Sequence, residues 1–549
     1  MINLMQGGTG TGKEIRVSSR NPERIWVVLI LIGALIFRLR DLGFLLPYYY
    51  YSDEQDVAQI ALRMLQTGDL NPHYFWYGSF PIYWTTMLDG LVLGVRCWLS
   101  GGINTIGECI RNFGVYDQGF LLFYLGRATS LLFGLGTIYL TFLLGKRVFN
   151  RAAGYLSAIF LAISPFHIFF SQVFKVDISL LFWILLTVYF SLNIYEGGGL
   201  KNYLGAGLGA GLALSTKYEF LVILPILLAV ILRGGWKGVF SWSPVFSAYL
   251  ALLIFILTCP FSVLSSPEFF QQLKILAIGE QSVANFRVAA SGFFSLRFVY
   301  ELLLIFPFFF GPLVYLCALP GLWESGRTDF RKLLIIISFP LSYLVFSGWF
   351  SKLVILQYEL PYFPFIVILG SGGMVSLWRQ SGRRRILGLA CLVASLCFFL
   401  SDLAIPHFKE HFQVYREAGD WINREIPKNK KVMTYFWQYP STRHFGFEPE
   451  INMVKVTDVS IPKVRESFPD YLILTDSHIF REPRCPCHFE GYLDLLERLS
   501  QKNFEGYQLA REFRPSRFWE WFAGRVYPEM KDFRIRVFSR APGENGENR

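Results

Sequence analysis

The chain has 549 residues, of which 53% are hydrophobic, 17% aromatic and 17% charged. This composition excludes a disordered chain and a single soluble core: apolar runs of about 20 residues recur, and each is long enough to span a bilayer. The net charge of +11 does not point to nucleic acid, because much of the excess sits in short loops between apolar runs, where Lys and Arg fix membrane orientation.

The N-terminal segment is polar and basic (Lys13, Arg16, Arg20, Arg24) and leads into an apolar stretch from Ile25 to Phe37. A full-length span there reads as a retained signal anchor. Tyr48–Tyr51 and Ser52-Asp53-Glu54-Gln55-Asp56 follow. A carboxylate beside hydrocarbon loses hydration. The Asp-Glu pair is therefore either a solvated helix start favoured by the dipole or a functional site at the membrane surface. Beyond it, Val57, Ile60, Ala61, Met64 and Leu65 share one helical face, which predicts an amphipathic helix lying on the membrane.

Apolar length places candidate spans at about 25–40, 80–99, 122–145, 153–171, 178–195, 203–216, 218–232, 244–261, 299–320, 333–350, 353–376 and 386–404. The 80–99 segment carries Thr85, Thr86, Asp89 and Arg96. If it lies along the surface and the N-terminus is inside, the basic clusters Lys146/Arg147/Arg151, Lys201, Arg233/Lys237, Arg327/Arg331/Lys332 and Arg379/Arg383/Arg384/Arg385 all fall inside. If it crosses, every later cluster falls outside, against the orientation rule, so the expectation is about eleven spans. Residues 41–121 then form one long outer loop with two surface helices, and the tail from about 405 lies outside.

This topology gathers charged groups at the outer face in apolar surroundings, which makes a site hypothesis. The third and fourth spans meet over Ser164–Asp177, where Pro165 frees backbone carbonyls near the outer end and His167, Lys175 and Asp177 follow. His167 reads as a helix-interior histidine bonded to a carbonyl or as a metal ligand. Lys175 and Asp177 read as snorkelling charges or as site groups. The glycine-rich run Gly205–Gly211 suits close helix packing; no strand precedes it, so it is not a dinucleotide fingerprint. Lys217 ends that span at the outer face, where cytoplasmic orientation cannot explain it and an anionic partner would. Farther on lie Glu280 and Arg287 in an outer loop from Ser262 to Arg297, then Lys352 and Gln357-Tyr358-Glu359.

After about residue 405 the apolar runs shorten: Lys431–Trp437, Ile451–Val456, Tyr471–Thr475, Tyr507–Phe513 and Phe533–Phe538, with helical patterns at about 412–425 and 490–502. This alternation predicts a small α/β domain over 405–549, following a membrane domain over 1–404. The eight cysteines lack zinc-site spacing; Cys485 and Cys487 are the close pair, either oxidised or two free thiols.

Transfer from a lipid-anchored phosphate donor needs a base for the acceptor, cations or a metal for the departing phosphate, and a groove for the lipid tail. Asp53 offers a base, with Glu54 and Asp177 as neighbours. Lys217, Lys352 and Arg287 offer phosphate partners. Asp53, Asp177, His167 and Glu280 are the candidate ligands for a divalent ion (Mg, Mn, Ca or Zn). Ser52-Asp53-Glu54 resembles the Asp-Glu signature of the polyprenol-phosphate-sugar-dependent GT-C glycosyltransferases, in the branch of protein O-mannosyltransferases and lipid A aminoarabinose transferases. Thr67-Gly-Asp69-Leu-Asn-Pro72, Tyr77-Gly-Ser-Phe-Pro81, Gly126-Arg127, Gly145–Gly154, Ser164–Asp177 and Gly211–Tyr218 agree in order. The resemblance implies inverting transfer at the extracytoplasmic face of the plasma membrane, from a polyprenyl-phosphate sugar to a protein or glycolipid acceptor. It implies Asp53 as catalytic acid-base, Asp177 as the second loop acid, Lys217 near the phosphate, and Arg127, Lys175 and Tyr358 in the binding set.

The chain departs from the aminoarabinose branch at three places. Asp56 stands where that branch has Arg, Phe80 where it has Lys, and Gln357 where it has the Arg of an Arg-Tyr pair. The first two weigh against aminoarabinose and lipid A. A transporter or flippase of a lipid-linked saccharide is the rival reading, but it predicts internal repeats and midplane charges, and the charges here crowd one face. A structural subunit leaves Asp53 and Asp177 without a role.

Overall fold

The computed structural model describes residues 22–44, 46, 52–101, 106–114, 117–275, 301–350, 356–404, 407–427, 429–435, 453–456, 461–476, 495, 497–499, 501, 504, 506–514 and 534–540. Its membrane part is helical: α1 (Pro22–Leu39), α2 (Ser52–Thr67), α3 (Phe80–Gly101), α4 (Ile106–Arg111), α5 (Asp117–Val148), α6 (Arg151–Ile163), α7 (Pro165–Gln172), α8 (Val176–Glu196), α9 (Leu200–Lys217), α10 (Ile223–Val239), α11 (Trp242–Thr258), α12 (Pro312–Phe350), α13 (Leu356–Glu359), α14 (Phe363–Arg379) and α15 (Arg383–Ala404). Among the described residues six helices are long and apolar enough to cross a membrane, and a seventh if α6 and α7, bent by 60°, form one span. Proline explains the bend: Pro165 has no N–H to continue the ladder, and Ser164 leaves helical geometry to cap α7.

α12 is a hairpin. Asp329 is non-helical (φ −154°, ψ 89°), and its Oδ1 accepts the N–H groups of Arg331 and Lys332, capping a new helix. Before the turn, Val314 and Cys317 lie against Gly370 and Gly373, and Glu324 accepts from Ser376, so this half runs parallel to α14. After the turn, Phe339 packs on Phe365 and Tyr343 on Tyr362, so the second half runs back.

Ion pairs mark one end of the bundle. Glu23 holds Lys146 and Arg151, Glu196 holds Arg147 and Lys332, and Arg233 donates to the Tyr195 carbonyl. Basic clusters that orientation assigns to one side are thus assembled at one end. At the other end Lys217 meets Asp177, Ser215 accepts from Thr258, and the Thr216 carbonyl accepts the Gly78 N–H.

Within the first long loop, α2 and α3 pack together, and α3 is absent from the helices apolar enough to cross. Its polar residues Thr85, Thr86 and Asp89 face inward, while Met87, Leu91, Val95, Trp98 and Leu99 are exposed. That is the amphipathy of a helix presenting apolar surface to lipid. Cys97 is disulfide-bonded to Cys109 of α4, a pairing that cysteine spacing did not suggest.

The C-terminal elements are α16 (His407–Glu425), β1 (Val432–Tyr435), β2 (Met453–Val456), α17 (Ile461–Ser467), β3 (Tyr471–Asp476), β4 (Tyr507–Phe513) and β5 (Arg534–Arg540). They form a five-stranded sheet of order β2-β1-β3-β5-β4. β1 is parallel to β2 and β3, and β5 is antiparallel to β3 and β4. Alternate residues serve opposite cores: Val432, Ile473 and Val537 pack with Ala418 and Ile422 of α16, and Met433, Leu472 and Phe538 pack with Val464 and Leu495.

Candidate active site at one end of the helix bundle

Asp53 lies in the first turn of α2. The next residue, Glu54, is buried, and its carboxylate accepts two bonds of 2.9 Å from the Arg127 guanidinium. It also accepts the Phe174 N–H at 2.5 Å. Arg127 spends its remaining donors on the Leu42 and Phe44 carbonyls. Gly126 makes this approach possible, because a Cβ there would lie 2.2 Å from the Phe174 ring. The candidate acid Glu54 and the candidate binding residue Arg127 are thus held by each other and by backbone as a buried ion pair. Together they tie the start of α2 to the segment carrying Lys175 and Asp177. Val57, one turn beyond Asp53, packs with Phe174 and Val176 and reinforces the tie.

Asp177 opens α8 as an acid in its first turn, where the helix dipole favours it. Its Oδ1 lies 2.6 Å from the Lys217 Nζ, and Lys217 Nζ stands 4.7 Å from the centre of the Tyr358 ring. Lys175 Nζ donates to Gln357 Oε1 at 2.6 Å. Thus Lys175, Asp177, Lys217 and Tyr358, from three separate connections, converge. Gln357, at the position of the resembled family's Arg, holds a lysine from elsewhere in the chain. Phe80, at the position of that family's Lys, packs edge-on against Trp183.

The end of α9 is fixed by its exit turn. Tyr218 adopts φ 53°, ψ 33°, a left-handed conformation uncommon for a residue with a Cβ. Its hydroxyl donates to the Tyr77 carbonyl at 3.1 Å. Gly78 sits so close beneath that a Cβ would fall 1.9 Å from the Ser215 carbonyl oxygen. An apolar cavity of about 430 Å³ runs from Tyr218 and Phe255 down between α9, α10 and α11 to Val230 and Val239.

His167 is corrected as a metal candidate. It is fully buried, with Nδ1 accepting from Arg38 at 2.7 Å and Nε2 bonded to Thr137 Oγ1 at 2.7 Å. Because Arg only donates, the proton sits on Nε2, and both ring nitrogens are committed. Arg38 also donates to the Ala34 and Ala162 carbonyls, so this group locks α1, α5 and α7. Among the described residues no three His, Cys, Asp or Glu side chains converge as a metal set, and Asp177 is engaged by Lys217. Glu280, Arg287, Lys352, Cys485 and Cys487 lie outside the described residues.

Sequence reasoning missed Glu219, two residues after Lys217. Burial pushes its carboxyl up to about 7, opposed by the Leu221 N–H and by Lys217. It falls inside the expected 218–232 span, but the structure starts that span at Phe220, which leaves Glu219 beside Lys217 in the connection. Asp89 was noted only as a polar interruption, yet it is fully buried, and burial pushes its carboxyl up to about 8.

Residues 124–263 match the family described as dolichyl-phosphate-mannose-protein mannosyltransferase. No curated relative matches the chain in sequence. Among solved structures, ArnT from Cupriavidus metallidurans bound to undecaprenyl phosphate is 15% identical, over 94% of this chain and 98% of that one, with a TM-score of 0.50. The Archaeoglobus fulgidus oligosaccharyltransferase tethered with an acceptor peptide is 11% identical, over 94% and 89% of the two chains, also at 0.50. The same protein in complex with Zn and sulfate is 12% identical, over 82% and 67%, at 0.50. At these identities the structural likeness establishes the fold. With the family match, it carries the resemblance to the GT-C glycosyltransferases that the motifs indicated.

Proposed function

We propose that this chain is an inverting glycosyltransferase that takes a sugar from a polyprenyl-phosphate-linked donor and passes it to an acceptor on a protein, glycolipid or glycan at the extracytoplasmic face. The observation that carries this is the Asp177–Lys217 pair beside Tyr358, tethered through Glu54 and the Phe174 N–H to the turn that bears Asp53.

Asp53 acts as the base. It removes the acceptor proton while the acceptor attacks the anomeric carbon from the face opposite the phosphate. The glycosidic C–O bond to phosphate breaks with inversion, and polyprenyl phosphate leaves with that bond's electron pair. The leaving phosphate gains negative charge, which Lys217 and Lys175 counter by charge-assisted hydrogen bonding. Asp177 orients Lys217 and Gln357 orients Lys175. Glu54 and Arg127 hold Asp53 in register. The donor's tail occupies the apolar cavity that opens beside Tyr218. The solved relatives support this assignment: one is bound to undecaprenyl phosphate and another is tethered with an acceptor peptide.

In this reading the bundle crosses about eleven times, α3 lies at the interface, and residues 405–549 form an extracytoplasmic domain. The hairpin of α12 supplies two of the crossings. The Cys97–Cys109 disulfide supports an outer placement for the first loop, because such bonds persist in oxidising compartments. The test is Asp53→Asn in purified protein supplied with a polyprenyl-phosphate sugar, following polyprenyl phosphate release and acceptor labelling. Loss of both is expected. An unchanged rate would remove Asp53 from the mechanism, and transbilayer movement of intact donor without cleavage would replace the enzyme by a flippase.

A further inference from the structure

At the end of the bundle opposite the candidate active site lies a second pocket, polar and about 760 Å³ in volume. Its wall is built by the ends of α8, α9 and α10 and the turn of α12, and it carries Arg233, Arg331 and Lys332 with Glu196 and Asp329. The acids are already neutralised. Glu196 accepts from both Arg147 and Lys332, and Asp329 caps the helix after its own turn. Arg331 is exposed, and among the described residues its guanidinium has no hydrogen-bond or ion-pair partner. Arg233 keeps one nitrogen on the Tyr195 carbonyl at 3.3 Å. The pocket therefore carries surplus positive charge presented as guanidinium groups, whose fork geometry matches phosphate oxygens.

Depth decides between a dissolved anion and a lipid. Trp236, Phe240 and Trp242, sequence neighbours of the lining residues Gly234, Gly238 and Ser241, are 73%, 84% and 77% exposed. Exposed aromatic rings at a span's end mark the headgroup level of a bilayer. Val230 lines both this pocket and the apolar cavity between α9, α10 and α11. A polar pocket that shares a wall residue with an interhelical apolar cleft fits a lipid headgroup better than an ion in water.

We infer that this pocket binds the headgroup of an anionic phospholipid from the leaflet opposite the active site, with its phosphate on Arg233 and Arg331 and its chains over the apolar surface of α10 and α11. Basic pockets between spans are a known way to hold acidic headgroups. The bound lipid bridges the α10 end, the α8 end and the α12 turn, so it braces the bundle. The inference is independent of the transferase reading.

The test is native mass spectrometry of the full-length chain released from micelles containing phosphatidylglycerol or phosphatidylcholine, with thermal unfolding alongside. Wild type should retain phosphatidylglycerol at least tenfold over phosphatidylcholine and unfold at a higher temperature with it. Arg233→Gln/Arg331→Gln should lose that preference and that shift. Both side chains are exposed, so the variant should fold. Lys237→Gln, at the same end but outside the pocket lining, should behave as wild type. Equal retention of the two lipids, or an unchanged preference in the double variant, would overturn the inference. So would a stabilising shift from inorganic phosphate alone that matches phosphatidylglycerol, because the site would then be one for a soluble anion.

Discussion

Replacing Arg127 by Met should damage both stability and turnover, and the structure sets the scale. Arg127 and Glu54 are 1% and 2% exposed. Arg127 makes two bonds of 2.9 Å to Glu54 and two more, of 2.8 and 2.7 Å, to the Leu42 and Phe44 carbonyls. Its loss leaves Glu54 buried with the Phe174 N–H alone, and removing one partner of such a pair costs about 3–5 kcal/mol. The replacement fills the space but supplies no donor. Glu54→Gln should cost a comparable amount by leaving the guanidinium unpaired. In the double variant no buried charge is orphaned on the carboxylate side, so its loss should fall short of the sum by about 1–3 kcal/mol. Equilibrium unfolding in mixed micelles measures these terms. Turnover separates positioning from stability: the double variant, although partly restored in stability, should keep a depressed kcat, because the start of α2 is no longer tied to the Phe174 segment. A cost under about 1 kcal/mol for Arg127→Met, or additivity of the two substitutions within about 0.5 kcal/mol, would refute the clamp.

Further outcomes are expected. Lys217→Met should lower donor turnover about 10–100-fold, the worth of a charge-assisted bond of about 1.5–3 kcal/mol, with partial rescue by Lys217→Arg; a steady-state assay of polyprenyl phosphate release reads it. Gly78→Ala should push the end of α9 away, costing about 1–3 kcal/mol in unfolding measurements and lowering activity through Lys217. The carboxyl of Glu219 is raised in the fold, so the folded state retains a proton that the unfolded chain releases. Stability should fall as pH rises from about 4.5 to about 7 and then level, and Glu219→Gln should flatten that profile. In intact cells, an impermeant maleimide applied from outside should label Cys97 or Cys109 after reduction and not before; labelling only from the cytoplasmic side would invert the orientation.

The sequence by itself determined what depends on local pattern. Apolar length located the long helices of the bundle and 3.6-residue periodicity located α2, and charge counting separated the two ends of the bundle. Short apolar runs located the five described strands of the C-terminal sheet within a few residues, because each strand buries residues in one core or the other. Asp177 and Lys217 were legible as a pair of oddities, since an isolated charge at the end of an apolar span is costly and calls for a partner. Tertiary structure alone decided which partner each charge takes. Glu54 read as a candidate acid and Arg127 as a candidate binding residue, and the fold buries them together as a clamp. His167 looked able to hold a metal, and Arg38 and Thr137 occupy both of its nitrogens. Cys97 and Cys109 carry no spacing signal, and only the return of α4 against α3 joins them. Whether a polar residue is a reactant or a brace depends on what side chains from distant segments leave open around it, and a linear pattern does not record that.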